Sequence, residues 1–234
     1  SEVTGFVDVP PIKKNLNRAI SITAKAKGIL APKIKIFRIP IRNWVVENLR
    51  QFPPVRIGRF FIFDRNFDGT IPTWAIPLKV PAGAAFGTGR HGSTQGCLMA
   101  LDSLKKRSLK SALDMGCGSG ILALAISKRW RCQVVASDID TTASRTAKAN
   151  SVINGEKRFV SVLQGPGYCA RFFLRRQFDL IVSNIVAQPL VKMSSNLSRC
   201  LAFGGTAILS GFLASQEAQI LTARRLHGLK LRWR

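Results

Sequence analysis

The sequence predicts an α/β protein with a mostly parallel, doubly wound sheet covered by helices on both faces. Three observations carry that expectation. From Trp74 onward, short apolar runs of strand length alternate with segments of helical periodicity. A glycine-rich run, Gly116-Cys117-Gly118-Ser119-Gly120, directly follows one apolar run and opens a helical segment. Hydrophobic residues make up 46% of the 234-residue chain, enough to bury such a core and too many for a disordered one.

Ahead of the alternating pattern, Ile12, Leu16 and Ile20 recur every four residues on a basic segment, which predicts a short amphipathic helix ended by Pro32. Lys33-Ile34-Lys35-Ile36 alternates as a strand does. Asn43 can cap a short helix over 44–50, which Pro53-Pro54 stops. The apolar, aromatic run Val55–Phe63 predicts one strand, and residues 64–73, with Asn66, Asp68, Gly69 and Pro72, predict a loop. A strand is expected over 75–80, a glycine-rich loop over 83–92, and a helix from about Ser93 with Cys97, Leu101 and Leu104 on one face. Further strands are expected at 111–115, 133–137, 159–163, 178–183, 206–210 and 229–233, and helices over 121–128, 142–153, 190–201 and 215–227. This divides the chain into a small α+β N-terminal segment, 1–42, a linker helix with the first strand, 43–64, and the α/β domain, 65–234.

Lys and Arg number 36 against 12 Asp and Glu, a formal charge of +24. A field that positive attracts phosphate polymers and anionic surfaces. The charge is spread along the chain and forms no basic tail, so it fits both a ribosome- or RNA-facing protein and a compositional bias on an ordinary surface. Cys97, Cys117, Cys132, Cys169 and Cys200 form no CxxC pair, and the two histidines are far apart. Neither a metal site nor a disulfide framework is therefore expected, and free thiols suit a reducing compartment. The opening Ser1-Glu2-Val3-Thr4 does not lead from a basic stretch into an apolar one, so no secretory signal is expected. The uncharged run 200–216 is broken by Gly204-Gly205 and Gly211 and is short for a membrane span. The expectation is a soluble, monomeric, cytoplasmic protein without membrane contact.

Three motifs carry chemistry. Glycines in the 116–120 run let the backbone turn sharply and let a ligand approach the main chain. Their G-x-G-x-G spacing is tighter than the G-x-G-x-x-G of dinucleotide folds, and Asp114 stands two residues before the first glycine. An acid beside such a turn suits a cationic amino-acid moiety better than a pyrophosphate; a tight strand–helix turn without a ligand is the plainer alternative. Asp138, in Ser137-Asp138-Ile139-Asp140 at the end of the next strand, can accept hydrogen bonds from both hydroxyls of a ribose, whereas Asp140 is expected to cap the following helix. The third motif is Ser183-Asn184-Ile185-Val186-Ala187-Gln188-Pro189-Leu190, in which Asn184 either lines the path of a transferred group or makes an Asx turn. All three fall at the carboxyl ends of strands, where open α/β sheets bind ligands. His91 fits a loop-fixing hydrogen bond as well as a base. The 184–187 stretch has no aromatic to stack on a flat base, which favours an aliphatic amine acceptor over a nucleobase.

Together these motifs resemble those of methyltransferases of class I, which share a Rossmann-like fold and use S-adenosyl-L-methionine (AdoMet). The run Pro81-Ala82-Gly83-Ala84-Ala85-Phe86-Gly87-Thr88-Gly89-Arg90-His91-Gly92-Ser93-Thr94 narrows this, because it is similar to the AFGTG loop of the bacterial ribosomal protein L11 methyltransferase (PrmA) family. Asn43-Trp44-Val45 and residues 54–62, 184–190 and 209–213 resemble the same family, and the resemblance covers about residues 43–228. It implies AdoMet as cofactor, with contacts at Thr94, Gly116, Asp138 and Asn184 and with Phe86, Gly87, Thr88, Gly89, Asp114 and Gly118 around it. A side chain at Gly116 is expected to intrude on the cofactor. Asn184 is implied in the acceptor-side wall, with no dedicated base identified. The implied reaction is methylation of lysine side chains, and of the N-terminal amine, of ribosomal protein L11, with ribosome or rRNA contact through the basic surface. Residues 65–234 are then the methyltransferase domain and 1–42 a shortened substrate-recognising segment. Arg90 and Gly92 stand where Thr and Pro are commoner in the family, Gln188 stands where Gly is usual, and Arg234 precedes the antiparallel final strand that the family leads one to expect. Two other functions stay open at this point: a catalytically idle, AdoMet-binding ribosome-associated factor, and an rRNA methyltransferase.

Overall fold

The structure, a computed structural model, describes residues 11–36, 53–81, 89–105, 108–169 and 171–234. The chain divides into two compact units, Ser1–Glu47 and Asn48–Arg234.

In the first unit the expected amphipathic helix is α1, Lys13–Ala26. It ends earlier than Pro32. Gly28 takes φ +65°, the Ile29 N–H donates to Ala24 O at 3.0 Å and the Gly28 N–H to Lys25 O at 3.2 Å. This pair of bonds satisfies carbonyls that the last turn would leave orphaned. Lys33–Ile36 is not a strand, because no ladder partner lies beside it among the described residues. The helix expected over 44–50, with its Asn43 cap, lies outside the described residues.

In the second unit the run Val55–Phe63 is two strands, β1 (Val55–Ile57) and β2 (Phe60–Phe63). Gly58, at φ +54°, turns the chain in two residues, so that Ile57 pairs antiparallel with Phe60. The loop expected over 64–73 follows, and β3 (Ile76–Lys79) then pairs parallel with β2. The strand expected at 75–80 therefore completes a separate three-stranded sheet, β1-β2-β3, and does not join the main one.

The α/β alternation proper runs through α2 (Gly92–Ser103), β4 (Ser111–Met115), α3 (Ile121–Trp130), β5 (Gln133–Asp138), α4 (Thr141–Ile153), β6 (Val160–Gln164) and β7 (Phe178–Asn184). It continues in α5 (Ala187–Lys192), α6 (Ser194–Cys200), β8 (Leu201–Ser210) and α7 (Glu217–Arg225). The single helix expected over 190–201 is thus two helices that meet at Met193. Pro189 explains the early start: it sits in the first turn of α5, where its missing N–H costs nothing. Residues 229–233 form no strand, and a single 3₁₀ turn at 214–216 precedes α7.

The main sheet has the order β6-β5-β4-β7-β8, and every neighbouring pair is parallel. The chain winds outward from β4 through β5 to β6, then returns to the other side of β4, so the order reverses at β4. Alternation along β4 feeds both faces. Ala112 joins Leu98, Leu101, Ile121 and Leu124 in one core, while Leu113 and Met115 join Tyr168, Phe173, Leu197 and Cys200 in the other. Burying each large apolar side chain stabilises the fold by about 1.5–3 kcal/mol. Helix α3 is buried continuously from Ile121 to Ser127 because it packs on both β3 and the main sheet.

Candidate functional site

The strand order reverses between β4 and β7, and open α/β sheets bind ligands in the crevice at the carboxyl ends of such a switch point. Its floor is the turn from β4 into α3. Gly116, Gly118 and Gly120 all take positive φ, at +77°, +52° and +78°. The turn hangs on the end of β5. The Gly116 and Cys117 amides donate to Ser137 O at 2.8 and 3.1 Å, and the Gly118 amide donates to Asp138 Oδ2 at 2.8 Å. A Cβ at Gly120 would lie 3.0 Å from the Ala147 Cβ, so its bareness lets α4 pack close. From α4, the buried Asn150 donates through Nδ2 to Ser119 O at 2.8 Å, fixing the crest of the turn.

Asp138 closes β5 half-buried. Its Oδ1 accepts from the Asp140 amide at 3.0 Å, and each carboxylate oxygen keeps a second lone pair for a ribose hydroxyl. Asp140 caps α4 as expected, accepting from the Thr142 amide at 2.8 Å. Asp114 is fully buried. Its Oδ2 accepts from the Ala123 amide at 3.0 Å in the first turn of α3, and its Oδ1 has no partner. Burial outweighs that hydrogen bond, and with Asp138 nearby the carboxyl is pushed up to about 7. Cys97 stands within the field of Asp114, and burial first and Asp114 second push its thiol up to about 12. It is no nucleophile near neutral pH.

The opposite wall is built from β7 and α2. Ser183 Oγ donates to Met115 O at 2.8 Å, locking β7 to β4 at the crevice. The buried Asn184 donates through Nδ2 to Thr94 Oγ1 at 3.2 Å, which leaves Asn184 Oδ1 without a partner. His91 has the loop-fixing role: it is the N-cap of α2, and its Nδ1 accepts from the Ser93 amide at 3.3 Å. Gln188 is exposed in the first turn of α5.

The predicted residues Asp114, Gly116, Gly118, Asp138, Asn184 and Thr94 therefore come together at one crevice. Phe86, Gly87 and Thr88 lie outside the described residues. Gly89, at φ +82°, faces inward, where a Cβ would meet Ile62 Cδ1 at 2.7 Å and Ile121 Cδ1 at 3.1 Å. At Gly116 a Cβ would also meet the chain's own Ile185, whose Cγ2 would be 2.2 Å away. Asn150 was not legible as a site residue, a lone Asn inside a helical pattern being the only signal; Ser183 and Ile185 were legible as members of the third motif, but their separate roles were not.

The class this architecture defines is the Rossmann-like class I methyltransferase. The chain belongs to the ribosomal protein L11 methyltransferase (PrmA) family, whose profile matches residues 3–232. It is 41% identical over 201 residues to the ribosomal protein L11 methyltransferase of Agrobacterium fabrum, covering 84% of this chain and 69% of that one. It is likewise 41% identical over 218 residues to the enzyme of the same name from Rhizobium rhizogenes, covering 90% and 74%. Among solved structures, the ribosomal protein L11 methylase of Lactobacillus delbrueckii subsp. bulgaricus superposes with a TM-score of 0.68 at 26% identity, over 78% of this chain and 94% of that one.

This fold class implies AdoMet, and the residues present fit it. Two buried oxygens, Asp114 Oδ1 and Asn184 Oδ1, lack partners at the ends of adjacent strands, and buried polar atoms of that kind are rare unless a ligand or water meets them. Asp114 suits a cationic amino-acid end, Asp138 the ribose, and the glycine turn a close main-chain approach.

Proposed function

We propose that this chain transfers a methyl group from AdoMet to lysine side chains, and to the N-terminal amine, of ribosomal protein L11. Family membership supports the reaction and the protein acceptor. The observation that carries the reading is Asn184: its Nδ2 donates to Thr94 Oγ1 and its Oδ1 has no partner, so a bare acceptor is available to an N–H of an incoming amine. When bound, AdoMet supplies an electrophilic methyl on a positively charged sulfur. The chain's own residues supply position. Asp138 and the Gly116–Gly120 turn hold the cofactor, and Asn184 orients the acceptor nitrogen by accepting its N–H. The nitrogen must arrive neutral, so the ammonium proton passes to solvent first; a nearby positive charge and loss of water both favour that release. With AdoMet bound, the nitrogen's lone pair would take the methyl while the C–S electrons stay on sulfur, so the positive charge would pass from sulfur to the methylated nitrogen, which then returns a proton to solvent. The spread positive charge contributes contact with rRNA on the ribosome.

Two measurements test this. Label from methyl-labelled AdoMet should enter isolated ribosomal protein L11 and not naked rRNA; label in the rRNA alone would replace this reading with the nucleic-acid one, and none in either would favour an idle factor. Asp138→Ala should weaken AdoMet binding by about 1.5–3 kcal/mol, as expected for a charge-assisted hydrogen-bond partner. Unchanged affinity by calorimetry, with the fold intact, removes Asp138 from the site.

A further inference from the structure

In the second unit, positive charge that is spread in sequence is gathered in space. Every neighbouring pair in the main sheet is parallel, so all five strands begin at one end of it, opposite the crevice. There Ser111 pairs with Gln133, Val134 with Val160, and Phe178 with Leu201. The segments that enter the strands carry exposed cations. Lys157 and Arg158 precede β6, Arg131 precedes β5, Lys110 precedes β4, Arg175 and Arg176 precede β7, and Arg199 precedes β8. Neighbouring strands lie about 4.8 Å apart, so in sheet order these side chains form a basic row roughly 20 Å long. Gln133 Nε2 donates to Arg158 O at 3.4 Å and Ser111 Oγ to Gln177 O at 3.3 Å, which ties the entering segments side by side. The segments that leave the strands, 116–120, 139–140, 165–168, 185–187 and 211–216, carry no Lys or Arg. A compositional bias would load both ends of a sheet alike. The charge here is one-sided.

The acids beside the row are too few and too buried to neutralise it. Asp179 is half-buried and accepts from the Lys110 and Ser111 amides at 2.7 and 3.2 Å. Glu156 is 3% exposed, with Oε1 3.4 Å from Arg131 Nη1, yet the Arg131 side chain stays 64% exposed. Aromatic rings back several of the guanidiniums. Arg131 and Arg158 lie over the Phe159 ring at 4.5 and 5.0 Å, and Arg176 lies over the Phe172 ring at 3.9 Å. A guanidinium fixed in this way is ordered in advance. Its planar fork suits phosphate oxygens, and its outer face can stack on a base.

We propose that this end of the sheet binds single-stranded RNA, with phosphates along the basic row and bases against the ring-backed guanidiniums. The proposal locates, and rests on, the rRNA contact proposed above. It sets the RNA at the end of the sheet away from the crevice, so RNA and AdoMet bind together and the crevice stays open to the acceptor protein. An anionic membrane matches the charge as well, but it has no flat bases for the guanidinium planes.

The probe is a labelled oligouridylate, with phosphatidylserine vesicles as the competing surface. The full chain should bind it with a log affinity that falls by about 0.7 per log unit of salt for each phosphate neutralised. Lys157→Gln, Arg158→Gln, Arg175→Gln and Arg176→Gln combined should weaken binding about tenfold or more and flatten that slope. Arg65→Gln, Arg145→Gln, Lys148→Gln and Lys192→Gln combined, at exposed residues off the row, should do neither. AdoMet affinity should be the same in both variants, with and without RNA. If the first variant does not fold, slower amide exchange at 157–159 and 175–177 on adding RNA to the unmodified chain decides. Equal losses in the two variants, or protection elsewhere, overturn the location and leave rRNA contact in place. No salt-dependent RNA binding overturns both, while methyl transfer to isolated ribosomal protein L11 is judged separately. Tighter binding to the vesicles through the same residues, or RNA that displaces AdoMet, also overturns the proposal.

Discussion

Ile185 sits between two glycines, and both are bare for its sake. Beside Gly116, its Cγ2 fills the space a Cβ would take; beside Gly211, at φ +91°, a Cβ would fall 2.6 Å from Ile185 O and 2.7 Å from its nitrogen. Backbone cannot step aside as a side-chain tip can, so Gly211→Ala must displace Ile185 and with it Asn184. The left-handed conformation adds roughly 1 kcal/mol for any side chain. We expect Gly211→Ala to lose about 1–3 kcal/mol of stability in denaturant titration and to lower kcat more than it weakens AdoMet binding. Asp114 gives a prediction in pH. Its folded carboxyl, pushed up to about 7, keeps a proton that the unfolded chain has already released over the range from ordinary carboxylate values to about 7. The folded state binds more protons there, so unfolding free energy falls as pH rises through that window and levels off above it. Relative to Asp114→Asn, the unmodified protein should therefore lose stability between about pH 4 and about pH 7, as read by urea melts along the series. A difference that stays constant with pH would show that Asp114 ionises normally.

At the scale of elements, α4 is the bracket between the glycine turn and the small sheet. Asn150 lies in its last turn, and Asn154 caps its C-terminal end four residues on. Asn150 holds Ser119, while Asn154 clamps β3 twice, accepting from the Lys79 amide at 2.9 Å and donating to Lys79 O at 2.7 Å. Asn154→Ala leaves both backbone groups of Lys79 unpaired, at a cost of about 1–3 kcal/mol. The expected signature is faster amide exchange in β3 than in β4 or β5, with the crevice retained; a uniform rise across the unit would show that β3 is held by other contacts. The elements were legible where they are local. Strand β4 was expected over 111–115 and spans those residues, and the Asp140 cap of α4 follows from residue type alone. They were not legible where a single residue redirected the chain: Gly58 divides an apolar run into a hairpin, and Pro189 opens a helix that reads as starting later.

For the whole molecule, the dominant fact is the charge of +24. If it serves rRNA contact, log affinity for rRNA fragments should fall linearly with log salt, by about 0.7–0.9 for each phosphate neutralised. A flat slope, with no co-sedimentation with ribosomes, assigns the charge to composition. Among the described residues no helix is long and apolar enough to cross a membrane.

By itself the sequence determined the parallel α/β architecture, the glycine turn with its acid, and the acid at the end of the next strand. Hydrophobic period and turn chemistry act over a few residues, so they survive without knowledge of what packs against what. Only the tertiary structure decided that β3 leaves the main sheet, that Asn184 meets Thr94 across 90 positions, and that Ile185 fills the space beside Gly116. Contacts of that kind depend on which surfaces remain to be buried once the sheet has formed. Asn184 is the clearest case: its residue type alone allowed two roles, and only the fold brings the Thr94 hydroxyl, on another helix, to its Nδ2 while its Oδ1 has no partner.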